Sequence, residues 1–282
     1  MSITGNAKIA GVIGWPVGHS LSPRLHGYWL DHYGIDGSYI PLAVEPENLA
    51  DALSALSKLG IVGVNLTVPH KEAAIGLVDK VDDAAARIGA VNTVVVLKDG
   101  SLEGRNTDGY GFIASLSSSA ALQSVKEKPV VVLGAGGAAR SIIVALQDYG
   151  VGSIRLTNRT RERADQMREE IGGDIDVVSW DQRAAVLEDA MLLVNTTTLG
   201  MGGQPALELD LDSLPTEAIV NDIVYSPLKT DLLAKAAERG NPTVDGVGML
   251  LHQARPGFAA WFGREPEVTD ALQAHVLNRS GF

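Results

Sequence analysis

The chain has 282 residues and a formal net charge of −11 at pH 7, which predict two domains and argue against a nucleic-acid partner, because phosphate backbones are bound by basic surface. It contains no cysteine, which excludes thiolate nucleophiles, disulfides and cysteine-ligated metals, and its six histidines show no metal-ligand spacing. No apolar run approaches the length of a membrane span and the first residues lack a signal-peptide layout, so we expect a cytoplasmic protein with no membrane partner.

Residues 1–107 alternate strand and helix signals. Pro23 suits the first turn of a helix and Gly34 suits its end, which predicts a helix from Pro23 to about Tyr33. A second helix is predicted from leucines that share one face, at positions Leu49, Leu53, Leu56 and Leu59. Shorter helical patches are predicted at 70–77 and 82–88. Apolar runs predict strands at 8–13, 38–44, 61–66 and 92–97.

The residues after 107 repeat this alternation with longer apolar runs. Strands are predicted at 130–133, 153–157, 175–178, 191–194 and 219–223. Helices are predicted at 108–116, 138–149, 161–171 and 229–239. Strands that are apolar on both faces and separated by helices indicate a buried parallel sheet, so the predicted fold class is α/β.

The predicted organisation is two α/β domains separated by a cleft. The helix at 108–116 is expected to connect them, which places a domain built on the parallel sheet at residues 108–245. The tail after Gly246 is typical of helix and is expected to return to the first domain, which therefore comprises residues 1–107 plus 246–282. Pro256 is expected to interrupt this last helix and to bend the chain just after Gln253.

A glycine turn follows the strand at 130–133. It comprises Gly134, Ala135, Gly136, Gly137 and Ala138 and leads directly into a helix. Glycines allow a tight turn and bring backbone N–H groups close to a pyrophosphate at the helix N-terminus, which predicts a dinucleotide site. The alternative is a glycine-rich turn in an α/β domain that binds no ligand.

The next strand ends in Asn158, Arg159 and Thr160, where an NAD-binding fold usually presents an acidic residue. An arginine at this position favours a 2′-phosphate over a bare 2′-hydroxyl, which predicts NADP(H) as the cofactor. Arg163 lies near the start of the following helix and is expected to face the same phosphate. The alternative is a solvated basic face, which suits Arg161 better than Arg159.

Two polar motifs lie in the first domain. Ser20 and Ser22 stand immediately before a predicted helix, so Ser22 is either its N-cap or, together with Ser20, part of an anion site. Asn65 and Thr67 share one face at the end of a strand, and Lys71 follows in the predicted first turn of a helix. A lysine there opposes the helix dipole, which indicates either a functional group or an ordinary surface lysine.

Asn92 begins a predicted strand, and Asp108 stands where a helix N-cap is expected. Capping alone explains Asp108. The alternative is that Asp108 pairs with Lys71 as a proton-handling unit, because each member of such a pair fixes the charge of the other.

These motifs, taken in order, resemble the shikimate dehydrogenase family over essentially the whole chain. The matching segments are 19–23, 65–72, 89–93, 106–109, 134–140, 158–160 with Arg163, 195–201 and 246–253. The resemblance implies a substrate-binding domain, a Rossmann-type NADP(H)-binding domain and the reversible reduction of 3-dehydroshikimate to shikimate in aromatic amino-acid biosynthesis. It also leaves open a quinate/shikimate dehydrogenase with relaxed cofactor use, or a ligand-sensing homologue without turnover, and a monomer or a homodimer.

The resemblance also implies a role for each matching residue. Lys71 is implied as the acid–base group, paired with Asp108, and Ser20 and Ser22 as ligands of the substrate carboxylate. The remaining substrate-binding positions are Asn65, Thr67, Asn92, Tyr225 and Gln253, with Asp108 also facing a hydroxyl. The implied cofactor-binding positions are Gly134, Gly136, Gly137, Ala138, Asn158, Arg159, Thr160, Arg163, Thr196, Gly246 and Met249.

Overall fold

The computed structural model describes residues 3–119 and 122–278. The chain divides into two compact units, one formed by Met1–Thr107 with Gln253–Phe282 and one by Asp108–His252; they are called the first and the second unit below. No helix within the described ranges is long and apolar enough to cross a membrane.

The first unit is built on a mixed sheet. Its strands in the described residues are β1 (Lys8–Gly14), β2 (Gly37–Ala43), β3 (Ile61–Leu66), β4 (Lys80–Val81), β5 (Thr93–Val96) and β6 (Leu102–Arg105). Their order is β2-β1-β3-β5-β6-β4. β1 is parallel to both β2 and β3, whereas β5 is antiparallel to β3 and β6. The helices before Thr107 are α1 (Ser22–Tyr33), α2 (Leu49–Ala55) and α3 (Asp83–Ile88).

The predicted leucine face is buried at three of its four positions. Leu49, Leu53 and Leu56 are buried in a core cluster that also holds Val64 of β3. The prediction for Leu59 is wrong, since its side chain is 69% exposed. The reason is that α2 ends at Ala55, so the helical spacing no longer applies to Leu59.

The second unit is built on a fully parallel sheet. Its strands in the described residues are β7 (Val130–Leu133), β8 (Ile154–Asn158), β9 (Ile175–Ser179), β10 (Leu192–Asn195), β11 (Ile219–Asp222) and β12 (Thr243–Val244). The order β12-β11-β10-β7-β8-β9 is that of a doubly wound dinucleotide-binding sheet: strands after β7 are first added on one side, as β8 and β9, and then on the other side, from β10 onwards. The helices that accompany it are α4 (Asp108–Ser119), α5 (Gly137–Tyr149), α6 (Arg161–Ile171) and α7 (Asp231–Arg239).

Both faces of this sheet are covered by apolar side chains. Val130 and Val132 of β7 belong to one core cluster, whereas Val131 and Leu133 belong to another. Because successive side chains of a strand point to opposite faces, the two clusters lie on opposite sides of the sheet. The continuous apolar runs in the sequence therefore correspond to strands buried on both faces, as predicted.

The chain ends in α8 (Gly246–Phe262) and α9 (Asp270–Leu277). The predicted interruption is wrong, because α8 is continuous and Pro256 lies inside it. The second boundary between the units falls at Gln253 and not at the predicted Gly246. The first turns of α8 pack into the second unit, where Met249 joins the core cluster.

Candidate active site

Ser20 and Ser22 lie in the segment that leads from β1 into α1. The N-cap of α1 is Leu21, which makes no side-chain cap, and Ser20 Oγ accepts a hydrogen bond from the backbone N–H of Ser22 at 3.3 Å. Ser22 is the first residue of the helix and is 8% exposed. Burial raises the pKa of Tyr39, and the nearby Ser22 hydroxyl opposes that rise. The N-cap interpretation of Ser22 is therefore wrong, and its side chain belongs to a buried polar network.

Asn65, near the end of β3, is the centre of that network. Its Oδ1 accepts a hydrogen bond from the Tyr39 hydroxyl at 2.6 Å. Its Nδ2 donates to the backbone oxygen of Asn92 and to Thr93 Oγ1, each at 3.1 Å. Both amide hydrogens are therefore used within the first unit, and one lone pair of Oδ1 remains for a ligand.

Asn92 continues the network towards the last helix. Its Nδ2 donates to Thr107 Oγ1 at 3.1 Å and to Gln253 Oε1 at 3.4 Å. Its Oδ1 accepts from the backbone N–H of Thr107 and from Thr93 Oγ1, each at 2.9 Å. Thr107 Oγ1 donates to the backbone oxygen of Gln253 at 2.8 Å. The structure therefore joins Asn65, Asn92 and Gln253 in one continuous set of polar contacts.

Three members of this network were not among the predicted site residues. Thr93 and Thr107 adjoin asparagines in motifs that the sequence analysis used, so their position beside Asn92 and Asn106 was the available signal. Tyr39 had no such signal. A single tyrosine in an apolar strand is more often a core residue, and its partners are distant along the chain.

Lys71 and Thr67 lie beyond the carboxyl end of β3. Lys71 stands in a turn before a short 3₁₀ helix (Ala73–Leu77), and not in the first turn of an α-helix as predicted. The argument from an opposed helix dipole therefore does not apply. The turn is held by Val91, whose N–H donates to the Lys71 carbonyl at 2.8 Å. It is also held by the buried His70, whose N–H donates to the Thr67 carbonyl at 2.9 Å.

Both Thr67 and Lys71 are half-buried. The Thr67 methyl lies over Gly14, where an added Cβ would come within 2.5 Å of Thr67 Cγ2. This close approach brings the ends of β1 and β3 together and places Thr67 beside the segment that carries Ser20.

The glycine turn of the second unit leads from β7 into α5. Gly134 has a φ of +106°, and an added Cβ would lie 2.6 Å from Thr196 Oγ1. Thr196 in turn donates from its hydroxyl to the Leu133 carbonyl at 2.7 Å. Around Gly136 and Gly137 an added Cβ would meet nothing within 4 Å. The N-terminus of α5 therefore faces open space through residues without side chains, which suits a pyrophosphate.

The end of β8 lies beside this turn. Asn158 Oδ1 accepts from the backbone N–H of Ala135 at 3.2 Å, and its Nδ2 donates to the Thr160 carbonyl at 2.7 Å. Arg159, Thr160 and Arg163 are exposed, while Arg161 forms an ion pair with Asp165 at 3.3 Å. Within the described part of the chain neither Arg159 nor Arg163 has an ion-pair partner, so both guanidinium groups are available to a phosphate.

A second buried polar network fixes the ends of β10 and β11. The fully buried Asp222 accepts from Asn195 Nδ2 and from the Val224 N–H, each at 3.0 Å, and from Thr230 Oγ1 at 2.7 Å. Burial raises the pKa of Asp222, and these hydrogen bonds oppose that rise. The bond to Val224 fixes the backbone immediately before Tyr225, whose pKa is also raised by burial.

The remaining predicted residues also lie in the second unit. Asp108 is the first residue of α4 and is 5% exposed. At Gly246 an added Cβ would come within 2.2 Å of the Ile223 carbonyl, so the start of α8 can approach the chain after β11 only without a side chain. Met249 is buried in the core. Gly246 and Met249 therefore both have a packing role in the second unit.

The strand order and the glycine turn define the second unit as a Rossmann-type dinucleotide-binding unit, and the same chain carries a separate α/β unit with a buried polar network. Two family models match. Residues 12–94 match the shikimate dehydrogenase substrate binding domain, and residues 117–200 match shikimate / quinate 5-dehydrogenase. The chain belongs to the shikimate dehydrogenase family.

Individual relatives are similar to this chain over nearly its full length. The shikimate dehydrogenase (NADP(+)) of Paramagnetospirillum magneticum is 59% identical over 276 residues, which cover 98% of this chain and 100% of the relative. A crystal structure of a shikimate dehydrogenase in complex with NADP+ superposes with a TM-score of 0.90 at 34% identity, covering 98% and 96% of the two chains. The Thermus thermophilus enzyme in complex with NADP(H) and shikimate gives a TM-score of 0.85 at 37% identity, covering 95% and 98%.

Proposed function

We propose that this protein catalyses the reversible reduction of 3-dehydroshikimate to shikimate with NADPH, a step of aromatic amino-acid biosynthesis. The observation that carries the proposal is the polar network that runs from Tyr39 through Asn65 and Asn92 to Gln253 in the first unit. The substrate is a small carboxylate with several hydroxyl groups. A site built from hydroxyl and amide groups rejects analogues that lack a hydroxyl more strongly than an apolar site does.

In this proposal the substrate carboxylate binds Ser20 and Ser22, and the hydroxyls bind Asn65, Thr67 and the Asn92–Gln253 pair. The hydrogen bonds that Asn65 makes within the protein determine the direction of its hydrogen bond to the substrate. Since both of its amide hydrogens are already donated to protein oxygens, Asn65 accepts a hydrogen bond from a substrate hydroxyl and does not donate one. Tyr225, on the segment fixed by Asp222, contributes from the second unit.

The residues of the second unit fit NADP(H). Backbone N–H groups between Gly134 and Ala138 would hold the pyrophosphate, and Asn158, Arg159, Thr160 and Arg163 would hold the ribose and its 2′-phosphate. Thr196, Gly246 and Met249 would shape the remainder of the site. When bound, the cofactor supplies the hydride.

Lys71 and Asp108 form the proposed acid–base pair. Reduction adds a hydride to the carbonyl carbon and leaves negative charge on the oxygen. The Lys71 ammonium stabilises that charge and provides the proton that completes the hydroxyl. Asp108 is the proposed partner of the Lys71 ammonium in this step. In the oxidative direction the pair takes the same proton back.

The second candidate is a quinate/shikimate dehydrogenase, which the name of the second family model supports. The site residues do not distinguish the two substrates, which differ mainly at the carbon that bears the carboxylate. A ligand-sensing homologue without turnover is disfavoured because both Lys71 and Asp108 are retained. A cytoplasmic location and a monomeric or homodimeric state complete the proposal, and sedimentation of the purified protein tests the latter.

The test is the absorbance of reduced nicotinamide after purified protein is mixed with shikimate and NADP. We expect Lys71→Ala to lower kcat by about 10²–10⁴-fold with little change in the KM for NADP. Lys80→Ala, at an exposed lysine of β4, is the matched control and should keep the parent rate. A Lys71→Ala enzyme that turns over at the parent rate contradicts the acid–base assignment. The value of kcat/KM for quinate, compared with that for shikimate, decides between the two dehydrogenases.

A further inference from the structure

We propose that Tyr39 is a positioning residue of the substrate site, whose hydroxyl joins Ser22 to Asn65 and thereby couples the carboxylate-binding end of the site to the hydroxyl-binding end. This assignment rests on the proposed function, because it takes Ser22 and Asn65 as substrate ligands. Tyr39 itself does not contact the reacting atoms in this proposal and acts only through its two neighbours.

The position of Tyr39 in the sheet is the first observation. Tyr39 lies on β2, whereas Asn65 lies on β3, and β1 runs between them. The neighbour of Tyr39 on β1 is the small, fully buried Ala10. The phenol therefore reaches past β1 to place its hydroxyl 2.6 Å from Asn65 Oδ1, and it also meets the hydroxyl of Ser22 at the start of α1.

The ring of Tyr39 is held firmly. It stacks on His26 with ring centroids 3.9 Å apart and an angle of 3° between the planes, and Trp261 of α8 lies 6.0 Å away, centroid to centroid. Tyr39 is 6% exposed and His26 is 0% exposed. A packed, stacked ring leaves the hydroxyl little freedom, so its hydrogen bonds fix the groups that it contacts.

The hydrogen-bond capacities of these groups produce the coupling. A phenol has one proton to donate, and here it goes to Asn65 Oδ1, so the contact with Ser22 uses the phenol oxygen as acceptor. A carboxylate that accepts the hydrogen bond of the Ser22 hydroxyl removes one donor from the Tyr39 oxygen. The remaining bond from Tyr39 to Asn65 then changes in strength, because linked hydrogen bonds polarise one another.

Removal of the hydroxyl has a defined consequence. In Tyr39→Phe, Asn65 loses its buried donor while both of its amide hydrogens stay committed to Asn92 and Thr93. We expect the KM for shikimate to rise about 5- to 30-fold, with a smaller change in kcat and an unchanged KM for NADP. Loss of folded enzyme alone would lower the apparent kcat and leave both KM values as they were.

Tyr33→Phe is the matched control. Tyr33, the last residue of α1, lies beside the aromatic cluster, 6.4 Å from Phe258 between ring centroids, and its hydroxyl accepts a hydrogen bond from the Glu267 N–H at 3.0 Å. It contacts neither Ser22 nor Asn65 in the described structure. Tyr33→Phe is therefore expected to keep the parent KM for shikimate.

The experiment measures kcat, both KM values and the thermal midpoint for the parent and the two variants. A parent without shikimate turnover overturns the proposed function and this assignment with it, whereas an active parent with an unchanged KM in Tyr39→Phe overturns the assignment alone. If Tyr39→Phe does not fold, the variants Ser22→Ala and Asn65→Ala and their double form a thermodynamic cycle. If the change in KM of the double variant equals the product of the two single changes to within a factor of two, the coupling is overturned. A larger departure from that product supports the coupling.

Discussion

Lowering the pH from 7.5 to 5 is expected to weaken the first unit through one buried histidine. His26 of α1 is 0% exposed and neither ring nitrogen has a hydrogen-bond partner. Its neighbours are the rings of Trp29, Tyr39, Phe258 and Trp261. Burial without a partner disfavours the imidazolium and lowers the pKa of His26 from 6.5 to about 3.

The direction and the magnitude of the change in unfolding free energy follow from this pKa shift. Because the folded-state pKa of His26 lies below the unfolded value, His26 is protonated at a lower pH in the folded state than in the unfolded state. The stability that depends on neutral His26 is therefore fully present above pH 6.5 and is lost as the pH falls towards 3. Between pH 7.5 and pH 5 the loss amounts to about 2 kcal/mol of unfolding free energy.

The assay is urea unfolding at both pH values, followed by tryptophan fluorescence, to which Trp29 and Trp261 contribute from the same cluster as His26. In His26→Phe the aromatic stack is retained and the titrating group is removed. We expect the difference in unfolding free energy between the two pH values to be smaller by about 2 kcal/mol in this variant. An equal pH dependence in parent and variant would refute the reasoning.

Three further predictions concern the second unit. Asp222→Ala leaves three donors unpaired and should lower the unfolding free energy in urea by about 2–4 kcal/mol; an unchanged midpoint contradicts this. Gly134→Ala, at a φ of +106°, should cost about 1–3 kcal/mol in the same assay, whereas Gly136→Ala, with open space at its Cβ, should cost less than half of that. Arg159→Ser should raise the KM for NADP about tenfold or more with the KM for NAD little changed, while equal shifts in Arg159→Ser and Arg161→Ser would argue against a specific phosphate contact.

The second unit could be predicted closely from the sequence. The predicted strand at 130–133 and the predicted helix at 161–171 have the bounds that the structure gives to β7 and α6, and the other predicted strands of this unit end within a residue or two of the observed ones. Strands buried on both faces leave continuous apolar runs, and helices between them have clear start and stop residues. Local signals were therefore sufficient.

Local signals failed where contacts between distant residues decide the structure. Pro256 removes a helix hydrogen bond, yet α8 continues because Phe258 and Trp261 pack in the aromatic cluster of the first unit. β4 and β12 have two residues each and leave no periodic pattern. The hydrogen bond from Tyr39 on β2 to Asn65 on β3 passes the intervening strand β1, and no motif in the sequence predicts it.

The first unit cannot be completed from the first 107 residues. The Trp261 indole lies over Gly63, where an added Cβ would be 2.1 Å from its nitrogen, and that N–H donates to the Val94 carbonyl at 3.1 Å. Trp29 in turn donates to the carbonyl of Glu267 at 2.9 Å. During synthesis on the ribosome, residues 1–107 can therefore complete their packing only after Trp261 and Glu267 have been made, whereas residues 108–252 already form a complete sheet with both faces covered. In this chain the unit encoded in the middle of the sequence can complete its fold before the unit that contains residues 1–107.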